Sequence, residues 1–238
     1  MGQLMLLAIN TLIWTFRPPL RIRAIFKQME FVGVKSLFVV ILTGSFTGAV
    51  MTIQIFYGFS MFRAESLVSA TLAIAMAREL GPVLTALMVT GRAGSAIAAE
   101  LGTMRVTEQI DALYVMAANP IKFLVVPRVI AGIIMLPVLT VIANIMGIVG
   151  GYLVGVILLG INHGIFIGNI VEYLHSSDIF NGLIKSAAFG LLLTLIGCYK
   201  GFYTTGGAEG VGRATTESVV MASILILASD YVMTAIMF

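Results

Sequence analysis

Residues 129–161 contain no charged side chain. At about 1.5 Å per residue this run exceeds the roughly 20 residues that an upright helix needs to cross the hydrocarbon of a bilayer. It is too short for two crossings and a turn, so it is expected to form one helix, tilted or kinked at Pro137, that projects beyond the membrane. Inside the hydrocarbon the backbone must satisfy its own hydrogen bonds, which makes helix the natural choice. With 59% hydrophobic and 11% charged residues and a mean hydropathy of +1.06, the remainder of the chain has the same character. The pI near 9.1 does not point to nucleic acid: the net charge is only +3, and the basic residues flank apolar spans, as the positive-inside rule requires.

Four further crossings are predicted at 36–62, 67–90, 183–199 and 218–238. The first apolar run, 4–16, is too short to cross. With Trp14 and the following Arg17, Pro18, Pro19, Arg21, Arg23 and Lys27, it suits an elbow helix over 4–27 lying in the membrane interface. The expected architecture is all-α: a polytopic membrane protein of one domain, 1–238, with an interfacial elbow and five transmembrane helices. Placing the N-terminus in the cytoplasm puts Arg17, Arg21, Arg23, Lys27, Lys35, Arg92, Arg105, Lys122, Arg128, Lys200 and Arg213 inside. Only Arg63 and Lys185 then fall near the outer ends. The segment 91–122 and the Gly-rich loop 201–212 would be cytoplasmic and the loop 163–181 external, where Ile170, Val171, Leu174 and Ile179 suggest a short amphipathic helix. Gly44 and Gly48, and Gly147, Gly151 and Gly155, are spaced by four for close helix packing, within the chain or between subunits.

Several chemistries lack their residues. No Gly-x-x-x-x-Gly-Lys-Ser/Thr loop is present to hold ATP, and residues 210–215 suit a turn better than a nucleotide site. There is no nucleophile elbow and no His-Glu-x-x-His helix. Cys198 is the single cysteine and suits a small core residue. His163 and His175 share a loop without a cysteine partner, so no metal site is expected. The N-terminal run lacks the small-residue cleavage site of a removable signal peptide.

Two polar features remain. Residues 91–113 gather Arg92, Glu100, Arg105, Glu108 and Asp111 between spans. Within them Thr107 is a candidate cap for a helix with Glu108 and Asp111 in its first turn, closed by Asn119-Pro120. Val106, Ile110 and Leu113 would form one face, and Glu108, Gln109 and Asp111 the other. This fits a helix laid into a partner's groove, and equally a solvated helix resting on the membrane. The second feature, Arg78-Glu79 before Gly81-Pro82, sits at mid-membrane, where charge is costly and needs compensation. Adjacent residues diverge by about 100° around a helix. Arg78 is thus either paired with Asp230 or Glu217 or left to meet an anionic ligand.

The run 77–113, ARELGPVLTALMVTGRAGSAIAAELGTMRVTEQIDAL, with Asn119-Pro120 and Val126-Pro127-Arg128, closely resembles the MlaE (YrbE) family of ABC-transporter permeases over nearly the whole chain. The resemblance implies a homodimer in the bacterial inner membrane, N-terminus cytoplasmic and C-terminus periplasmic, without catalysis of its own. It implies a cytoplasmic ABC ATPase dimer that binds ATP and Mg, a periplasmic MCE-domain hexamer and, in many systems, a STAS-domain protein. The cargo would be phospholipid, moved between inner and outer membranes to maintain outer-membrane lipid asymmetry. By position, Thr107, Glu108, Gln109, Ile110, Asp111 and Leu113 would form the coupling helix that meets the ATPase. Arg78 and Glu79 would line the lipid cavity, with Arg78 on the phosphate, and Tyr57, Phe59 and Phe62 would shape the acyl pocket. The competing reading is an ion- or proton-coupled secondary transporter of a hydrophobic substrate, with Arg78, Glu79, Glu217 and Asp230 as a relay. Five crossings without a paired inverted repeat argue against it.

Overall fold

The computed structural model describes residues 2–15, 17 and 21–237. Phe16, Pro18, Pro19 and Phe238, which enter the anchor and last-span expectations, lie outside the described residues. The described residues are all-helical in architecture, and among them are five helices long and apolar enough to cross a membrane and a shorter apolar helix before them. In chain order these are α1 (Gly2–Thr15), α2 (Ile22–Ser60), α3 (Glu65–Val106), α4 (Gln109–Val115), α5 (Ile121–Leu158), α6 (His163–Tyr173), α7 (Ser176–Phe202) and α8 (Gly207–Met237). The end of the bundle that carries α1 and α4 is called basal below.

The long helices outrun the apolar segments that reveal them. Residues 91–106, expected between spans, continue α3 without a break. Residues 22–32, expected to finish the elbow, lead directly into the first span. At that joint the Gly33 amide donates to the Met29 carbonyl at 2.7 Å and the Ser36 amide to the Gly33 carbonyl at 2.9 Å, which carries the axis through. The Gly-rich loop contracts to 203–206, because α7 runs to Phe202 and α8 starts at Gly207. The reason is common to all: hydropathy reports the depth of the lipid, whereas a helix ends only where its backbone bonds do. At the opposite end α6 supplies the expected surface helix, started by Asn162, whose Oδ1 accepts from the Gly164 amide at 2.8 Å. Leu174 falls just beyond α6, and Ile179 belongs to α7.

Prolines shape two of the spans. Pro82 and Pro127 each follow a wide π-helical turn, Met76–Leu80 in α3 and Ile121–Val125 in α5. A proline offers no amide to the carbonyl four residues back and its ring crowds that carbonyl, so the preceding turn opens. Helix α5 is continuous through Pro137. The glycine stripes pack α2 on α5 within this chain. A Cβ added to Gly48 would fall inside the Gly147 carbonyl, and one on Gly44 would meet the Ala143 carbonyl at 2.8 Å.

Three apolar clusters fill the bundle. The basal one joins Leu7 of α1 to Ile97, Leu101, Ile110, Leu124, Cys198 and Phe202. The middle one includes Val40, Val89, Leu139, Phe189, Leu193 and Ile226. Leu72, Met76 and Phe166 form the third, under α6. Helix α8 presents Val220, Ile224, Leu227 and Tyr231 outward, each more than half exposed.

Candidate functional site

The π turn of α3 sets Arg78 and Glu79 on a pocket of about 420 Å³, lined also by Thr71, Ile74, Ala75 and Thr234 of α8. Widening the turn brings two neighbouring side chains to one opening that a regular helix would divide. Arg78 finds a partner other than the two the sequence offered. Arg78 meets Asp178 in the first turn of α7, with Nη2 2.7 Å and Nε 2.9 Å from the same carboxylate oxygen. Asp178 is only 3% exposed against 35% for the arginine side chain. Its other oxygen accepts from the His175 amide at 3.2 Å, so the helix start fixes the carboxylate. Glu217 lies elsewhere, bound to Lys200 at 2.7 Å.

Glu79 has a partner that sequence reasoning missed. Lys185, counted there as an outer-end charge, is fully buried about two and a half turns into α7. Its ammonium lies 2.6 Å from Glu79, 3.1 Å from Asp230 and 2.7 Å from the Thr234 hydroxyl. The hydroxyl donates to the Asp230 carbonyl at 2.8 Å. Three helices thus share one polar knot inside the apolar bundle, where a buried charge without a partner would be costly. The only sequence signal was a lysine amid apolar residues on α7, and nothing local named its partners.

Tyr57 and Phe62 do not join this pocket. They are 62% and 81% exposed near the far end of α2, and Phe59 is half-buried beside them. The residues expected to shape an acyl pocket therefore stand on the surface of this chain, apart from Arg78 and Glu79.

The basal segment also differs from expectation. Thr107 closes α3, its hydroxyl donating to the Thr103 carbonyl at 2.8 Å, and Glu108 in left-handed backbone (φ 58°) starts α4. Thr107 does not cap α4, because it is the residue that closes α3 and Glu108 stands between it and the first turn of α4. Ile110 is fully buried in the basal core and Leu113 packs against it. Gln109 donates to the Thr107 hydroxyl at 3.0 Å, and Asp111 accepts from Arg105 at 2.6 Å. Glu108, Gln109 and Asp111 are exposed, and Tyr114, Val115 and Met116 add an apolar tip in which Val115 is 88% exposed. Asn119 caps α5, accepting the Ile121 amide at 3.0 Å. Other charges of the segment fasten the bundle. Arg92 donates to the Phe31 carbonyl and, at 2.8 Å, to Ser36, while Glu100 pairs with buried Arg128 at 2.8 Å. Among the described residues no cluster of His, Cys, Asp and Glu suits a metal.

The geometry is thus a polar pocket within apolar spans, connected by one helix to an exposed basal helix. Residues 25–236 match the family described as Permease MlaE. A probable ABC transporter permease protein of Rickettsia conorii is 50% identical over 222 residues, 93% of this chain and 86% of that protein. The intermembrane phospholipid transport system permease protein MlaE of Haemophilus influenzae is 42% identical over 215 residues, 89% and 82% of the two chains. The chloroplastic protein TRIGALACTOSYLDIACYLGLYCEROL 1 of Arabidopsis thaliana is 42% identical over 212 residues, 89% of this chain and 61% of that one. This multi-pass membrane protein belongs to the MlaE permease family.

Proposed function

We propose that the chain is the permease subunit of an ABC transporter that moves phospholipid between the inner and outer membranes of a bacterial envelope and so maintains outer-membrane lipid asymmetry. It works as a homodimer with its N-terminus in the cytoplasm, driven by a separate ATPase dimer that holds the ATP and Mg. An MCE-domain hexamer on the periplasmic side, with a STAS-domain protein on the ATPase where one is present, completes the assembly. The single observation that carries this reading is the Arg78–Asp178 and Glu79–Lys185–Asp230 knot opening on a pocket between the spans, toward the end opposite the basal one. A phospholipid headgroup needs fixed charge within an apolar passage, and a guanidinium held on one edge by Asp178 is oriented for phosphate oxygens. Tyr57, Phe59 and Phe62 would enter the acyl path at the subunit boundary. At the basal end, Glu108, Gln109 and Asp111 would meet basic residues of the ATPase, with Ile110 and Leu113 anchoring the helix from beneath.

The test is lipid counting by mass spectrometry on the purified complex. Arg78→Ala should lower bound phospholipid by about tenfold, the size of one charge-assisted contact. The double variant Arg78→Ala/Asp178→Asn removes the carboxylate left behind and should show the same loss with normal assembly. Unchanged lipid in both would reject the headgroup role. The proton-coupled alternative would use Lys185 between Glu79 and Asp230 as its relay. It predicts transport that collapses with the proton gradient and persists without ATP.

A further inference from the structure

A second pocket, of about 220 Å³, lies at the basal end between the start of α2 and the α4–α5 junction, away from the charge knot. It is lined by Arg21, Asn119, Lys122 and Phe123 over a floor that includes Ile25 and Pro127. Two of its lining residues are cations and none is a carboxylate. The Arg21 guanidinium sits 3.8 Å from the centre of the Phe123 ring, and the Lys122 ammonium 5.4 Å from the Trp14 ring of α1. The Arg17 guanidinium also lies 5.4 Å from that Trp14 ring. Among the described residues neither Arg17 nor Arg21 forms an ion pair with a carboxylate. We propose that this pocket binds the phosphate of an anionic phospholipid from the basal leaflet, as a fixed lipid separate from the cargo.

Stacking occupies the face of the Arg21 guanidinium and leaves its in-plane N–H donors for phosphate oxygens. The rings restrict both cations, so little side-chain freedom remains to be lost when an anion arrives. The pocket also sits at the right depth. Helix α1 turns Leu12 and Ile13 outward, 63% and 47% exposed, and α2 exposes Ile22 and Phe26, both at 64%. These side chains belong in the acyl layer, which puts the adjacent cations at headgroup level. A diester phosphate with its acyl chains running along those residues satisfies both halves of the site, as a free anion does not. Basic pockets of this kind between membrane helices favour anionic headgroups. Because Ala118 and Asn119 line the wall, an occupied site braces the hinge between α4 and α5 against the N-terminal helices. The binding itself does not depend on the transport reading above, only that mechanical consequence does.

The test reconstitutes the whole permease complex in nanodiscs of phosphatidylcholine containing about one-fifth phosphatidylglycerol, which offers the site an anionic headgroup among neutral ones. Tightly retained lipid is then counted by native mass spectrometry. The wild-type complex is expected to keep phosphatidylglycerol over phosphatidylcholine, and Arg21→Gln/Lys122→Gln to lose about fivefold of that preference for each cation removed. Arg21→Gln alone guards against a folding defect from the half-buried Lys122. The charge-preserving Arg21→Lys/Lys122→Arg should retain most of the preference. Arg23→Gln changes an exposed basic residue of α2 outside the pocket and should have no effect. An equal loss with Arg23→Gln would show only a diffuse surface field and overturn the site. Displacement of the lipid by millimolar inorganic phosphate would assign the pocket to a soluble anion and overturn the lipid as its ligand. Unchanged preference in the Gln variants would overturn the proposal outright.

Discussion

Lys185→Met keeps most of the side-chain volume and removes the charge that faces Glu79, Asp230 and Thr234 at 2.6, 3.1 and 2.7 Å. Two carboxylates are left close together with no cation between them. Breaking a buried pair from one side costs about 3–5 kcal/mol when the remaining charge stays buried. Here Glu79 is 36% exposed and Asp230 20%. Water therefore takes up part of the uncompensated charge, and the expected loss falls to about 2–4 kcal/mol. For a chain of this length that corresponds to a fall in apparent melting temperature of about 5–15 °C. The measurement is the gel-filtration peak of the detergent-purified complex that survives graded heating. The triple variant Lys185→Met/Glu79→Gln/Asp230→Asn carries neutral groups at all three positions and should recover at least half of the loss. Two results refute the reasoning. A single variant within about 2 °C of wild type would mean that the lysine does not hold the carboxylates. A triple variant as labile as the single one would trace the damage to packing rather than to stranded charge.

Charge reversal at Glu108 and Asp111 should release the ATPase in pull-down while leaving the melting temperature within a few degrees, since the Asp111–Arg105 pair is exposed and worth under about 1 kcal/mol; retention of the ATPase would remove α4 from the contact. Gly48→Leu places a branched side chain against the Gly147 backbone and should abolish the monodisperse peak. Gly58→Leu, in the same helix with no atom near the added Cβ, should leave it intact, and a normal Gly48→Leu protein would show that α2 and α5 are not packed as described.

Much of the architecture was legible because the bilayer imposes one length scale. Each crossing carries its own apolar run, and the spacing of the glycines of α2 and α5 announces close packing, although only the fold shows that it lies within the chain. The boundaries were not legible. Helices α3 and α8 extend through Arg92, Glu100, Arg213 and Glu217 because these charges find partners along the bundle, and hydropathy cannot distinguish a paired charge from a solvated one. The polar pocket was half legible. Arg78 and Glu79 stood out by depth, but Asp178 and Lys185 come from a helix about 100 residues later, and their pairing is a property of the folded bundle. Thr107 was misjudged for a local reason. A threonine between two helices can stand as the last residue of one or the cap of the next, and here the left-handed Glu108 takes the cap position and leaves Thr107 to donate back to the preceding turn.

The continuity of α3 changes how the pocket and the basal helix can communicate. Had residues 91–106 been a loop, a push on α4 would have dissipated in its soft dihedrals. Instead about 40 Å of helix runs from Glu79 to Val106, and Ile110 locks α4 onto its basal end by burying itself beside Leu101. A packed helix moves largely as a body, because the interior that surrounds it has no room to absorb strain. Its regular α geometry is interrupted at the wide turns Met76–Leu80 and Thr90–Gly94. The first of these carries Arg78 and Glu79, and the second carries Arg92, which ties α3 to the Gly33 joint of α2. A displacement of α4 would therefore be passed along α3, through the Thr90–Gly94 turn and the Arg92 tether, to the Glu79–Lys185 and Arg78–Asp178 contacts.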